Sequence, residues 1–295
     1  MLIIIGYIVV IASALVGYVL TGGYLAVLFQ PLEFLIIGGT AIGAFIVSNE
    51  KKAIKATLKS LGSLFKTSNY NKALYLTLIN LMYNLLTKVR QNGGLSIEQD
   101  IDNPRESALF KKYPLILANP QICDFITDYF RLMISGNTDV YEIEALMNEE
   151  IETCTNELEK PAYAISCVGD GLPAFGIVAA VMGVINTLAQ ADRPANELGE
   201  LIAHAMVGTF LGILLAYGFV SPLAALLRQK NADTVKILEC IKVILIASMH
   251  DYAPQICIEF GRKTIFSHER PSFFELEKYI QEVKDKNANS KENRE

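Results

Sequence analysis

The chain has 295 residues, of which 52% are hydrophobic and 19% are charged. Soluble domains carry about 25% charged residues on average, so this composition excludes an ordinary soluble protein. The net charge of −5 argues against a nucleic-acid partner, because proteins that bind nucleic acids present basic surfaces. Four long runs contain no Asp, Glu, Lys or Arg, and they cover 1–32, 34–49, 171–191 and 201–227.

These runs predict an all-α, polytopic membrane protein with four transmembrane helices, because a helix needs roughly 20 apolar residues to cross a bilayer. Gly22–Gly23 divides the first run, so the first two helices are expected at about 2–20 and 33–49. The other two are expected at about 171–190 and 201–222. The first helix has no basic n-region and is longer than a signal-peptide core, which favours a retained helix.

Basic residues predict the orientation of these helices, because loops rich in Lys and Arg stay in the cytoplasm. Every Lys and Arg except Arg193 lies in 50–165 or after residue 222. These two regions and both termini are therefore expected in the cytoplasm, and the loops at about 21–32 and 190–200 outside. An even number of spans agrees with this arrangement.

The segment between the two helix pairs, 50–165, predicts a large helical cytoplasmic domain. Apolar residues recur at steps of three and four from Leu74 to Val89, and Gly93 is expected to end that helix. A second amphipathic helix is expected at 119–136. An acidic helix is expected to run from Asp139 to Pro161.

The C-terminal part is also expected to be helical. The fourth helix is expected to continue into the cytoplasm over 223–251, and 272–283 to form a last amphipathic helix. The polar end of the chain is expected to be disordered. The expected divisions of the chain are 1–49, 50–165, 166–222, 223–283 and 284–295.

Two of the predicted membrane helices carry a face of small residues. Their spacings of four, three and four place them on one side of a helix. The residues are Gly176, Ala180, Gly183 and Thr187 on the third helix, and Ala205, Thr209, Gly212 and Ala216 on the fourth. Small faces in membranes usually serve tight helix–helix packing. The alternative is that both faces line a site for a third element.

Two prolines and a missing acid bear on these alternatives. Pro173 is expected to start the third membrane span and Pro222 to end the fourth, both near the cytoplasmic surface, where a proline suits a helix terminus or kinks or breaks the helix. No ionisable residue except His204 is expected inside any span. Because proton relays need a buried titrating group, a partner chain is expected to supply it. This chain would supply walls and the hydroxyl of Thr209.

The residue patterns of enzyme, metal and cofactor sites are missing from the sequence. The three histidines are far apart, and the five cysteines contain no CxxC pair. No glycine-rich phosphate loop is present. The sequence therefore predicts no metal, no cofactor and no enzymatic activity.

Several stretches closely resemble one known family, in the same order and at similar spacing. They are GDGLPAFGIVAAVMGVINTL, ADRPANELGELIAHAMVGTFLGILLAYGFVSPLAALLRQK, IDNPRES, EIEALMNEEIET, IEFGRK and ERPSF. The chain resembles the MotA family of flagellar motor stator subunits, in its long, proteobacterial, proton-driven branch. The resemblance covers nearly the whole chain.

The resemblance implies a homo-oligomeric ring, pentameric, around the membrane helices of two MotB chains in the bacterial inner membrane. MotB would supply the proton-accepting aspartate and the peptidoglycan anchor. Proton binding and release would rotate the ring, and the cytoplasmic domain would push the rotor protein FliG. The small-residue faces, including Gly176, would look inward at MotB.

The resemblance also assigns roles to residues of the predicted membrane helices. Pro173 and Pro222 match the functional prolines of the family, and Thr209 matches its ion-path hydroxyl. Ala180 stands where sodium-driven relatives carry Thr. A methyl group offers no oxygen to a sodium ion, so protons are the expected coupling ion.

Three charged residues match the family's cytoplasmic positions. Arg90 and Glu98 match charges that contact the rotor, and Glu150 matches a further charged position. By themselves, Arg90 at the end of a helix and Glu98 in a first turn would be solvated charges that favour the helix dipole. The resemblance favours rotor contact, less so for Glu150.

Three other functions compete with this interpretation. One is an ExbB- or TolQ-like subunit, which energises outer-membrane processes. Those relatives look like proteins with three membrane spans. The four spans predicted here and the IDNPRES and EFGRK stretches disfavour this function. A small-molecule transporter is disfavoured by uncharged spans and by the lack of internal repeats. An enzyme is disfavoured by the missing catalytic patterns.

Overall fold

The computed structural model describes residues 2–65, 70–136 and 139–281. Within these ranges the chain is helical and contains no β-strand, which confirms the all-α prediction. The same ranges contain four helices that are long and apolar enough to cross a membrane, as expected. These four candidate spans are Leu2–Leu20, Leu25–Ser48, Val140–Leu188 and Ala195–Met249.

Twelve α-helices are numbered here in chain order within the described ranges. They are α1 (Leu2–Leu20), α2 (Leu25–Leu28), α3 (Pro31–Ser48), α4 (Lys51–Leu64), α5 (Lys72–Asn92), α6 (Glu98–Asp102), α7 (Pro114–Leu117), α8 (Pro120–Ser135), α9 (Val140–Leu188), α10 (Ala195–Ile213), α11 (Ser221–Met249) and α12 (Pro254–Thr264). A π-helical segment, Leu214–Val220, joins α10 to α11. Residues 273–281 are also helical, within the helix expected at 272–283. The tail expected at 284–295 lies outside the described residues.

The helices form two compact units. Unit 1 contains Met1–Thr67 and Asn156–Lys230, and unit 2 contains Ser68–Thr155 and Asn231–Glu295. The divisions fall inside α9 and α11, so each of these helices contributes residues to both units.

Unit 1 has a thin core of aliphatic residues. One cluster combines Ile37 and Ala41 of α3 with Leu172 of α9 and Leu211 of α10. Helix α1 buries no residue, and large apolar side chains of the other membrane helices are also exposed. Lipid solvates such side chains as well as a protein core does, so their exposure fits a membrane location.

Unit 2 has a core of large apolar side chains. The apolar stripe predicted for α5 is confirmed over most of its length, since Leu74, Leu78, Leu81, Met82 and Leu85 are buried and Val89 is partly buried. Helix α5 ends at Asn92 as expected, and Gly93 follows with φ 80°, a conformation that favours glycine. Helix α8 matches the helix expected at 119–136, and the side chain of Asn119 caps it by accepting the N–H of Ile122.

The acidic helix expected to end at Pro161 continues instead as α9 to Leu188. Pro161 and Pro173 both lie inside it, so neither proline begins or ends a helix. The start of the third membrane span at Pro173 stays a prediction. An internal proline removes one backbone hydrogen bond and costs about 3 kcal/mol. Neighbouring helices can offset this cost in a membrane protein, where internal prolines are tolerated.

Pro222 marks a change in the backbone and not the end of helical structure. Pro222 is the second residue of α11, directly after the π-helical segment Leu214–Val220. The N–H of Ser221 bonds to the carbonyl oxygen of Ala216, five residues back. A proline ring crowds the carbonyl group four residues back, and the wider π turn relieves that crowding. The predicted continuation of the fourth helix is confirmed as far as Met249.

The IEFGRK and ERPSF stretches form a clamp within unit 2. Arg262 of α12 is 7% exposed and donates to the carbonyl oxygen of Pro271 at 2.8 Å. Its Nε and Nη2 atoms donate to the carboxylate of Glu259 at 2.7 and 2.6 Å. These bonds hold the pKa of Glu259 below its ordinary value. One buried guanidinium therefore links α12 to the segment that follows it.

We expect Arg262→Ala to lower the free energy of unfolding by about 3 kcal/mol, because it leaves Glu259 and the Pro271 carbonyl without their donor. Because the pKa of Glu259 is lowered in the folded chain, this contribution is full above about pH 4.5 and is lost as the pH falls through the lowered pKa. Calorimetry of the detergent-solubilised protein measures both effects. Lys263→Ala, at an exposed neighbour, is the control, and equal unfolding temperatures for the two variants would contradict the clamp.

Candidate functional site

Helices α9 and α10 pack in unit 1 with their backbones in contact. A Cβ atom added to Gly176 would lie 2.7 Å from the carbonyl oxygen of Gly208 and 3.0 Å from the Cα atom of Gly212. One added to Gly212 would lie 2.7 Å from the carbonyl oxygen of Leu172. These distances leave no space for a side chain, so the contact requires glycine on both helices.

The small faces meet along much of the helix pair. Near the loop that joins α9 to α10, a Cβ atom added to Gly183 would lie 2.6 Å from that of Ala205. Tight helix packing therefore accounts for Gly176, Gly183, Ala205 and Gly212. At these four positions the structure favours the helix-packing alternative, because the opposite helix fills the space. A direct role of Gly176 towards a partner chain stays a prediction.

Ala180 and Thr209 lie at the edge of this packed surface. A Cβ atom added to Gly208 would lie 3.1 Å from the backbone nitrogen of Ala180, so Ala180 lies beside the residue that precedes Thr209. Both residues are partly buried. The adjacent outer faces carry large exposed side chains, among them Ile177 and Met206. Ala180 therefore lies beside Gly208, the neighbour of Thr209, at the border of an apolar surface.

Pro173 and Pro222 lie towards the opposite end of the same helix pair. A Cβ atom added to Gly169, one turn before Pro173, would lie 2.6 Å from the hydroxyl oxygen of Ser221. Pro222 follows Ser221 and is exposed, whereas Pro173 is partly buried. The two prolines therefore flank one stretch of the pair, next to the π-helical segment.

A carboxylate of α3 enters the helix pair. Glu33 lies in the first turn of α3 and is 9% exposed. Its Oε2 atom is buried and makes no hydrogen bond within the described part of the chain. That atom occupies the space where Gly208 would carry a side chain, and Oε1 lies 3.8 Å from the position of a Cβ atom on Gly183. Glycines on two helices therefore make room for one acid.

The prediction that no ionisable residue except His204 lies inside a span is therefore wrong. The second candidate span is Leu25–Ser48, and Glu33 is buried within it, in the first turn of α3. In the sequence Glu33 borders an apolar run, where an acid in a first helical turn is ordinary. Glu33 is buried because α3 packs against α9 and α10. The sequence of α3 alone does not predict this packing.

Two further polar residues lie one turn closer to the loop that joins α9 to α10. Thr187 follows Gly183 by four residues, is 4% exposed and donates to the carbonyl oxygen of Gly183 at 2.9 Å. His204 precedes Gly208 by four residues and is partly buried. Residues four apart share a helix face. The faces that meet Glu33 therefore become polar towards this loop.

Arg90 and Glu98 lie near one end of α5 in unit 2. Arg90 is in the last turn of α5 and Glu98 in the first turn of α6, and both are exposed. The hydroxyl of Ser96 donates to the carbonyl oxygen of Lys88 at 3.3 Å, so the connecting turn folds back on α5. Lys88 also forms a 2.7 Å salt bridge with Asp100 of α6. These bonds hold the turn between Arg90 and Glu98 in place.

The two charges have no ion-pair partner in the ranges that the structure describes. Glu150 differs from them, although it is also exposed. Its carboxylate accepts a hydrogen bond from the hydroxyl of Tyr129 at 2.7 Å. Burial and this bond raise the pKa of Tyr129. Glu150 therefore has a structural partner that Arg90 and Glu98 lack.

Two family models match most of the chain. Residues 4–93 match the model for the Motility protein A N-terminal domain. Residues 119–240 match the model for the MotA/TolQ/ExbB proton channel family. The first match includes α1 to α5, and the second includes both helices of the packed pair.

Two solved structures share the fold. The flagellar MotAB stator complex of Bacillus subtilis is similar with a TM-score of 0.71 and 26% identity, over 87% of this chain and 92% of that chain. The C. jejuni MotAB structure is similar in fold with a TM-score of 0.75 and 24% identity, over 92% of this chain and 98% of that chain.

Two relatives are similar over nearly their full length. Motility protein A of Salmonella typhimurium is 59% identical over 287 residues, which are 97% of each chain. Motility protein A of Escherichia coli is 60% identical over 284 residues, which are 96% of each chain. Such identity over almost the whole sequence shows that this chain belongs to the Motility protein A family.

Proposed function

We propose that this chain is the flagellar stator subunit that conducts protons together with MotB and turns the rotor protein FliG. The near-full-length similarity to Motility protein A carries this proposal. The match of residues 119–240 to a proton channel family supports proton conduction. The four apolar helices in the described ranges support a multi-pass protein of the bacterial inner membrane.

Five copies of the chain would form a ring around the membrane helices of two MotB chains. A similar structure from Bacillus subtilis is a MotAB stator complex, which supports a partnership with MotB in an oligomeric assembly. The outer faces of α9 and α10 offer apolar surface to such neighbours, since Ile177 and Met206 are 55% and 67% exposed. Ala180 and Thr209 border that surface, where the proton-accepting aspartate of MotB would approach.

Proton binding and release at that aspartate would drive stepwise rotation of the ring. The packed glycines keep the middle of the α9–α10 pair rigid, because neither backbone can move closer. The end that contains Pro173, Pro222 and the π-helical segment Leu214–Val220 has fewer regular backbone bonds. Prolines and π turns are the usual places where helices bend. A change of shape would therefore start at the proline end.

Arg90 and Glu98 would carry the motion to FliG through charged contacts. Both side chains are exposed, and neither is held by an ion pair within the described residues. Glu150 would act less directly, because Tyr129 holds its carboxylate. Both termini and unit 2 would lie in the cytoplasm, as the distribution of basic residues predicts.

The alternative is an ExbB- or TolQ-like subunit that energises outer-membrane processes. The broader family includes those proteins, so residues 119–240 alone do not separate the two functions. The match of residues 4–93 to the Motility protein A N-terminal domain favours the stator.

A strain that lacks this chain should assemble flagellar filaments that do not rotate, because the rotor would have no source of torque. Supplying the chain again should restore swimming, which microscopy measures. Electron microscopy of the filaments and growth in detergent are the controls. Retained swimming with sensitivity to detergent would overturn the stator function and support the ExbB- or TolQ-like alternative.

We expect Ala180→Leu to slow rotation strongly, because the larger side chain would fill space at the small-residue face beside Gly208, where overpacking costs about 1–3 kcal/mol. Val181→Leu is the matched control, since the side chain of Val181 is 51% exposed and should tolerate the change. The rotation rate of tethered cells measures both variants. Wild-type torque in Ala180→Leu would mean that this position faces lipid.

We expect Arg90→Glu to weaken rotation without affecting membrane insertion, because the residue lies in unit 2 and makes no ion pair that the folded, described part of the chain needs. Adding Glu98→Lys should weaken it further if the two charges contact separate rotor groups. Motor torque and the amount of membrane-bound protein are measured together. Glu142→Lys, at another exposed acid of unit 2, is the control. Normal torque in the double variant would contradict the rotor contact.

A further inference from the structure

Glu33 is buried without the polar partners that normally stabilise a buried carboxylate. An ionised carboxylate without a partner is very costly in an apolar environment, and such groups pair, coordinate an ion or take up a proton. Among the described residues, Glu33 forms no salt bridge with an Arg, Lys or His side chain. Buried acids inside membrane helices are rare and mark ion paths and proton relays.

Stabilisation of the helix terminus does not explain this burial. An acid in a first turn favours the helix dipole while its carboxylate stays in water. The side chain of Glu33 instead points into the helix pair, with Oε2 shielded from solvent and without a hydrogen bond in the described part of the chain. Gly208 leaves the space that this oxygen occupies, so a side chain at residue 208 would displace it. The small residues of the surrounding helices therefore leave space for the carboxylate of Glu33.

The polar surroundings of Glu33 lead in two directions. Towards the loop that joins α9 to α10, Thr187 and His204 lie one turn away on the faces that meet Glu33. In the other direction Gly208 lies beside Ala180 and directly before Thr209. Among the described residues, His204 is the titratable group of α10 that lies one turn from Gly208 on the same face, and the residues of α9 within one turn of Gly183 and all residues of α2 carry none. Glu33 therefore lies between these two polar residues, Thr187 and His204, and the proposed partner surface.

We propose that Glu33 is a proton relay of this chain, positioned between the outer end of the membrane helices and the aspartate of the partner chain. A proton from external water would bind to the Glu33 carboxylate and form an O–H bond. That bond would break when the proton passes to the partner's carboxylate, which leaves Glu33 ionised and ready for the next proton. This inference rests on the proposed stator function.

Glu33→Gln keeps the size of the side chain but cannot take up and release a proton. We expect this variant to enter motors in normal numbers and to rotate them at least about tenfold more slowly per stator unit, because a positioned proton-transfer group commonly contributes ~10²–10⁴-fold. Glu33→Asp keeps the carboxyl group and should recover much of the speed. Glu200→Gln, at an exposed acid of α10, is the matched control.

Stepwise recovery of rotation in single motors, at low load, counts the stator units and gives the speed that each unit adds. A normal speed per unit in Glu33→Gln would overturn the relay. Fewer units with a normal speed per unit would also overturn it, since the acid would then serve packing or assembly. If the unchanged chain fails to restore rotation in the deletion strain, the stator function fails, and that result is distinct from a failure of the relay.

Discussion

The contact between the backbones of α9 and α10 is the interaction on which the membrane part of this protein depends. Gly176 meets Gly208 and Gly212 at distances that exclude any side chain. Lipid provides no hydrophobic force that draws helices together, so their association rests on van der Waals contact and interhelical polar groups. The glycines supply that contact and fix the register of the pair. The outer faces stay free to carry large apolar residues.

This register determines where polar groups can lie. Thr209 lies at the border of the packed surface. The carboxylate of Glu33 fits between the helices because Gly208 carries no side chain. The prolines and the π-helical segment lie towards the other end of the pair from the polar residues beside the α9–α10 loop. In the proposed stator, protons would arrive at one end of a rigid stretch and the helices would bend at the other. The middle would transmit the change because it cannot be compressed.

Local patterns predicted most of the fold. Apolar runs predicted the four membrane helices, and the stripe from Leu74 to Val89 predicted α5, because each of these signals is contained in one helix. Whether Pro161 ends a helix depends on packing around it, so the length of α9 was not predictable from the proline alone. Glu33 was missed for the same reason, since three helices bury it. The roles proposed for Arg90 and Glu98 rest on family resemblance, because exposed charges look alike in any sequence.

The π-helical segment has a geometric effect on everything that follows it. A π turn holds one residue more than an α turn, and each residue of an α-helix advances the chain by about 100° around the axis. The small face of α10 is therefore not extended in phase along α11 after Val220. Any helical wheel drawn at a constant period through Leu214–Val220 assigns the later residues to the wrong side. The buried stripe of α11 directly after Pro222 is therefore offset around the helix axis from the stripe of α10 that contacts α9.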